Sequence, residues 1–212
     1  MGKKGRIPDA TIERVAMYLR SLEVMFENGH KVISSENLAD TCKVNPAQVR
    51  KDLSFFGEFG IRGVGYDVHD LLLEIKEILA FDRVWRLGIA GLDDMGMALV
   101  QHKNFLKRGY KFVAAFDEDK DKTGMMLPGG LKIYHIEEIN RLSRSLNIEI
   151  GVITTSPTRA QDIAQKFFDS GIKAILNFAP IQIKTPDCCF LQNVDITMNL
   201  DHLVFQLNKI NA

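Results

Sequence analysis

Gly88-Ile89-Ala90-Gly91-Leu92-Asp93-Asp94-Met95-Gly96-Met97-Ala98-Leu99, residues 88–99, decides how the second half of the chain folds. A short apolar strand, Leu87–Ala90, runs into a glycine turn, and the turn opens a helix read over Met95–Leu106. In that order these elements make a phosphate-binding turn, because a helix N-terminus offers unpaired N–H groups to a pyrophosphate. Asp117 closes the next strand, Phe112–Phe116, 21 residues after Gly96. A carboxylate there accepts hydrogen bonds from an adenosine ribose and repels a 2′-phosphate, so NAD(H) is expected rather than NADP(H).

One position departs from the pattern. With Gly91 and Gly96 as the outer glycines, Asp93 stands at the middle one and Asp94 follows it. The middle glycine normally lets the backbone approach the pyrophosphate. A carboxylate there competes with phosphate for the helix N-terminus, and one aspartate is expected to cap the helix. Two readings follow: a loop that takes NAD(H), and one that has lost it through Asp93 and Asp94.

Outward from the loop, strands and helices alternate. Lys132–Tyr134 reads as a weak strand, Ile136–Leu146 as a helix, Ile150–Thr154 as a strand, Thr158–Ser170 as a helix and Ala174–Asn177 as a strand. That alternation predicts an α/β fold with a parallel sheet covered on both faces. In the last segment Leu200, Leu203, Val204 and Leu207 share one face of an amphipathic helix that needs a burial site.

Ahead of a break near residues 80–85 the rhythm is helical. Residues 8–28 carry Ile12, Val15, Ala16, Leu19, Leu22 and Phe26 at 3-4 spacing, and Gly29 is placed to end the helix. Ser34 or Ser35 can cap a second helix, and Asn45-Pro46 starts a third that runs to about Phe56 and stops at Gly57. Joined through Thr41–Val44, they have helix-turn-helix proportions. On the third helix Val49, Leu53 and Phe56 point to the core. Ala47, Gln48, Lys51, Ser54 and Phe55 point away, with Arg50 on the flank. Gln suits adenine, Arg or Lys suits guanine or phosphate, and Ser suits phosphate. The stretch Glu58–Tyr66 reads as a tight β-hairpin, a wing from which Arg62 would enter the minor groove or hold phosphate. A helix over Val68–Leu79 follows.

Composition excludes several classes. The 212 residues hold 46% hydrophobic and 25% charged side chains, which excludes a disordered or fibrous chain. Lys plus Arg and Asp plus Glu each count 27, so bulk charge gives no sign of nucleic acid or membrane. No apolar run reaches the roughly 18 residues of a membrane span. Three cysteines point to a reducing cytoplasm; Cys42 is expected in the core, and Cys188-Cys189 as buried thiols near a strand. The five histidines show no metal spacing.

Ser34-Ser35, Val49-Arg50-Lys51-Asp52-Leu53-Ser54-Phe55-Phe56-Gly57, Arg62-Gly63-Val64-Gly65-Tyr66, Phe116-Asp117 and Ile175-Leu176-Asn177-Phe178-Ala179-Pro180 resemble the Rex family of redox-sensing transcriptional repressors over nearly the whole chain. The resemblance implies a winged-helix DNA-binding domain (1–82), a Rossmann-type NAD(H)-sensing domain (83–197) and a C-terminal helix (198–212) exchanged in a homodimer. It implies a palindromic operator that is released when NADH binds, and no enzymatic turnover. By position it assigns Ser35, Gln48, Arg50, Lys51, Ser54, Phe55, Arg62, Gly63 and Tyr66 to DNA. Phe55 stands where many members have Tyr. The cofactor falls to Gly91, Leu92, Asp93, Asp94, Met95, Gly96, Asp117, Thr155, Asn177 and Phe178, and Arg20 and Asp195 form an interdomain pair. An NAD-dependent oxidoreductase is the rival class, but no substrate domain follows and no acid–base constellation is evident.

Overall fold

The computed structural model describes residues 7–61 and 63–210, and the chain divides into two compact units, Met1–Arg83 and Val84–Ala212.

In the first unit, α1 (Asp9–Glu27) buries Val15, Tyr18, Leu19 and Leu22. Ile12 and Phe26, at the two ends of the predicted stripe, stay exposed, and Phe26 lies against His69. Ser34 caps α2 (Ser35–Cys42) through Asn37 N, and Asn45 caps α3 (Pro46–Ser54) through Ala47 N. Lys43 turns the chain between them with φ +54°. Val49 and Leu53 join the α1 residues in one core, which α4 (Val68–Ile78) completes with Leu71, Leu72 and Ile75.

The glycine-rich stretch is not a self-contained hairpin. β2 (Tyr66–Asp67) pairs antiparallel with β1 (Val32–Ile33), which precedes α2. Among the described residues of the stretch itself, Ile61 and Gly65 form an antiparallel bridge. Local reading missed the distant partner because two-residue strands carry no alternation. A Cβ on Gly65 would lie 2.4 Å from Ile33 O, so glycine is what lets β1 pass.

The second unit is built on β3 (Trp85–Ala90), β4 (Tyr110–Asp117), β5 (Met126–Leu127), β6 (Leu131–His135), β7 (Ile150–Ile153), β8 (Ala174–Asn177) and β9 (Phe190–Asn193). The sheet order is β5-β6-β4-β3-β7-β8-β9. Every pairing is parallel except β5 on β6. Numbered among themselves, the parallel strands run 3-2-1-4-5-6, the doubly wound dinucleotide order. Alternate residues feed two cores. Ala90, Phe116 and Ile153 meet α7 (Ile139–Ser145) and α8 (Pro157–Asp169) on one face. Leu87, Ile89 and Val152 meet Met97, Leu99 and Val100 of α5 (Asp94–Gln101) on the other.

Some expectations change. The helix over Met95–Leu106 is two, α5 and α6 (Asn104–Lys107), because His102 turns extended with ψ 109°. Phe105 then packs against Phe112, ring centroids 5.4 Å apart. The edge strands β5 and β9 went unread; β9 buries no residue fully, so no inward–outward alternation marks it. Cys188 is exposed and Cys189 half-buried, because both sit at the turn that starts β9 rather than under the sheet. Cys42 packs beside the first core. The last helix, α9 (Ile196–Ile210), buries no residue. Among the described residues no helix is long and apolar enough to cross a membrane.

Candidate functional site

Ser35, Arg50, Ser54, Gly63 and Tyr66 line one cleft of about 680 Å³ in the first unit. The cleft lies between the exposed side of α3 and the turn around Gly63. Arg50 Nη1 donates to Ser35 Oγ at 2.7 Å and lies 3.3 Å from Glu36 Oε1. Both ends of that ion pair are exposed, so water screens it and it holds Arg50 only weakly. Lys51 is exposed, Phe55 is half-buried, and Ser54 Oγ donates to Lys51 O. Tyr66 lines the cleft from a largely buried ring, and burial raises its hydroxyl pKa. Arg62 lies outside the described residues.

Gln48 is engaged internally. Its Nε2 donates to Asp52 Oδ1 at 2.8 Å. Asp52 is fully buried and also accepts from Arg14 Nε at 2.6 Å, Arg14 Nη2 at 2.8 Å, Tyr18 Oη at 2.9 Å and Thr11 Oγ1 at 3.2 Å. Burial alone would raise the carboxyl pKa; the donors from Arg14, Gln48 and Tyr18 outweigh it and hold it below the ordinary range. Asp52 thus ties α3 to α1. Sequence reasoning passed over it, since a charge beside Lys51 reads as solvated.

In the second unit the glycine loop lies between β3 and β7, where the strand order reverses and doubly wound sheets bind their ligands. Gly91 N donates to Phe116 O at 2.9 Å, and Thr154 Oγ1 donates to Gly91 O at 2.6 Å. Gly91 has φ +95°, and a Cβ there would meet Thr154 C at 2.8 Å. A Cβ on Gly96 would lie 2.0 Å from Gly91 O. Both glycines are therefore required by the fold of the loop.

Asp93 stands at the N-cap position of α5 but makes no side-chain cap bond, contrary to expectation. Lys122 Nζ takes the carboxylate instead, at 3.1 Å, and lies 3.2 Å from Asp117 Oδ2 and 3.4 Å from Leu92 O. Asp117 also accepts from Leu92 N and Asp119 N, each at 2.9 Å. Lys122 loses some basicity to burial, but Asp93 and Asp117 more than restore it, so its pKa stands above the ordinary value. Lys122 carried no sequence signal, because it sits in an irregular loop without period.

The remaining cofactor candidates divide. Asp94 and Met95 are exposed, while Leu92 and Gly96 are buried. Asn177 is fully buried, with its amide used on Ala179 O, Ala179 N and Asn193 Oδ1, so it shapes the turn after β8. Phe178 is half-buried and its N–H donates to Ile153 O. Thr155 Oγ1 is buried without a hydrogen-bond partner, an unusual cost that a ligand would relieve. That orphan and the uncapped α5 N-terminus suit a dinucleotide. Arg20 is exposed on α1, and Asp195 caps α9 through Thr197 N at 2.9 Å. Asp67, His69 and Asp70 cluster closely enough for a cation, but all are exposed and Asp67 is spent capping α4.

Two family models match: "Putative DNA-binding protein N-terminus" over residues 6–54 and "CoA binding domain" over residues 82–181. The chain is 50% identical over 206 residues to the redox-sensing transcriptional repressor Rex of Syntrophobacter fumaroxidans, covering 97% of this chain and 98% of that one. The chain belongs to the Rex family of redox-sensing transcriptional repressors. The Rex of Maridesulfovibrio salexigens is 44% identical, covering 98% of this chain and 99% of that one. Among solved structures, the Rex-family repressor RSP in complex with beta-NAD+ and operator DNA superposes with TM-score 0.93 at 31% identity, covering 98% of this chain and 95% of that one. RSP in complex with beta-NADH gives TM-score 0.88 at 30% identity, covering 98% and 97%. The Rex architecture expected from the motifs, a DNA-binding N-terminal domain before a Rossmann-like sheet and a C-terminal helix, is the one found.

Proposed function

We propose that this chain is a cytoplasmic Rex regulator that grips a palindromic operator as a homodimer and lets go when NADH binds. The domains would be 1–82 for DNA, 83–197 for NAD(H) and 198–212 for exchange between subunits. The observation that carries the reading is the co-occurrence of a helix-turn-helix cleft and a 3-2-1-4-5-6 sheet with Gly91 and Gly96 at its switch point. α3 would enter the major groove with Arg50, Lys51, Ser54 and Phe55, with Gln48 held behind them, while Ser35, Arg62, Gly63 and Tyr66 meet the backbone. Gly91–Gly96, Asp117 and Thr155 would hold the dinucleotide, with Asn177 and Phe178 shaping the floor. When bound, NADH or NAD+ supplies no chemistry here beyond its redox state. A ligand shifts the operator equilibrium only if it binds the two forms of the dimer with different affinity. The deciding experiment titrates NADH and NAD+ against the full chain, with and without an operator duplex. Release by NADH alone supports the reading, and indifference to both overturns it.

Two further outcomes are expected. Lys51→Ala weakens operator binding and lowers the salt slope by about 1, the loss of one neutralised phosphate; titration at several salt concentrations reads both. In α9, Leu200, Leu203, Val204 and Leu207 are each more than half exposed, an apolar stripe that a second copy would cover. Ending the chain after Asn199 is therefore expected to give monomers in sedimentation. A stable dimer of that truncated chain would remove α9 from the interface.

A further inference from the structure

We infer that Lys122 is the counter-ion that lets this loop hold a dinucleotide with Asp93 in place of the middle glycine. The inference rests on the reading that NADH binds at the Gly91 loop. An aspartate at an N-cap position ordinarily turns its carboxylate onto the first-turn N–H groups, a fixed anion where a phosphate would sit. Here that bond is missing. The carboxylate instead meets Lys122 Nζ at 3.1 Å, and the same ammonium lies 3.2 Å from Asp117 Oδ2 and 3.4 Å from Leu92 O.

The geometry does two things at once. It draws the Asp93 charge to the Asp117 side, leaving the helix N-terminus to an incoming anion. It also sets one positive charge against both the Asp93 carboxylate that a phosphate would otherwise meet and the Asp117 carboxylate on the ribose side. Three acceptors match the three N–H donors of an ammonium, so Lys122 is fully engaged and held in place. The Lys122 side chain is 31% exposed; its Asp117 partner is 10% exposed and its Asp93 partner 83%, so the Asp117 contact anchors the ammonium and the Asp93 contact is the one water screens. Lys122 is thus a positioning residue: it acts on the nucleotide through Asp93. The pairing also accounts for how the departure at Asp93 coexists with membership of an NADH-responsive family.

The test is an NADH titration, followed by nucleotide fluorescence, on the full chain and four variants. Lys122→Met is expected to weaken NADH at least about tenfold, equivalent to about 1.4 kcal/mol. Asp93→Gly alone removes the charge that Lys122 counters and gives the reference affinity for the double variant. Adding Asp93→Gly to Lys122→Met should recover most of the loss. Lys122→Arg, which keeps the charge, should stay near native, and unchanged melting of the nucleotide-free Lys122→Met protein shows that its loop is folded. If the double variant binds as weakly as Lys122→Met, or Lys122→Met binds as tightly as the native chain, the assignment of Lys122 is overturned while the sensing function stands. If the native chain takes up no NADH, both fall together.

Discussion

Asp52→Ala is expected to destabilise the first unit by about 3 kcal/mol or more and to abolish operator binding, while NADH affinity stays native. The magnitude follows from what the carboxylate holds. Arg14, Tyr18, Gln48 and Thr11 all donate to it, and both Tyr18 and Thr11 are buried. Removing the acceptor orphans buried donors, each at about 1–3 kcal/mol, and leaves a guanidinium beside an apolar core. It also unties α3 from α1, so a reading helix that must sit in register on a duplex loses its anchor. Asp52→Asn keeps the shape and loses the charge; it should lie between native and Asp52→Ala in both melting and operator affinity. The sign with pH is fixed. A carboxyl held below its ordinary value contributes stability in full above about pH 3.9, the unfolded value, and that contribution disappears as pH falls through the folded value. Native protein should therefore lose first-unit stability more steeply in acid than Asp52→Asn does. Equal acid profiles would mean that Asp52 is neutral in the folded chain.

Gly96→Ala is the second large effect, and it should strike the other half of the function. The added methyl would sit 2.0 Å from Gly91 O and 3.0 Å from Thr154 Oγ1. The near atom is backbone, so the start of α5 must move away from the glycine turn. NADH affinity should fall at least about 100-fold, close to 2.8 kcal/mol, because the turn and the helix N-terminus no longer share one geometry. Operator binding should remain but lose its response to NADH. Titration of nucleotide and mobility shift of the operator duplex check the two halves separately. An affinity within about threefold of native would show that the Gly91–Gly96 contact is dispensable.

The two variants separate what was legible in the chain from what was not. The glycines were legible: Gly91 and Gly96 stand at fixed offsets after an apolar strand, and offsets are a property of sequence. So were the cap Asn45, the choice of Ser34 or Ser35 for the helix before it, the buried Val49 and Leu53, and the alternation of strand with helix, all set by local periodicity and local hydrogen bonding. The sequence by itself determined the two architectures, their order and the family. Only the tertiary structure decided which partners the polar groups take. Asp52 found Arg14 across 38 residues, Asp93 found Lys122 across 29, and the turn after α3 closed on a strand that precedes α2. The physical reason is range. Helix caps and apolar stripes are settled within a few residues. A buried or bridged charge is settled by whichever opposite charge the folded chain brings within about 3 Å, and no spacing rule encodes that meeting.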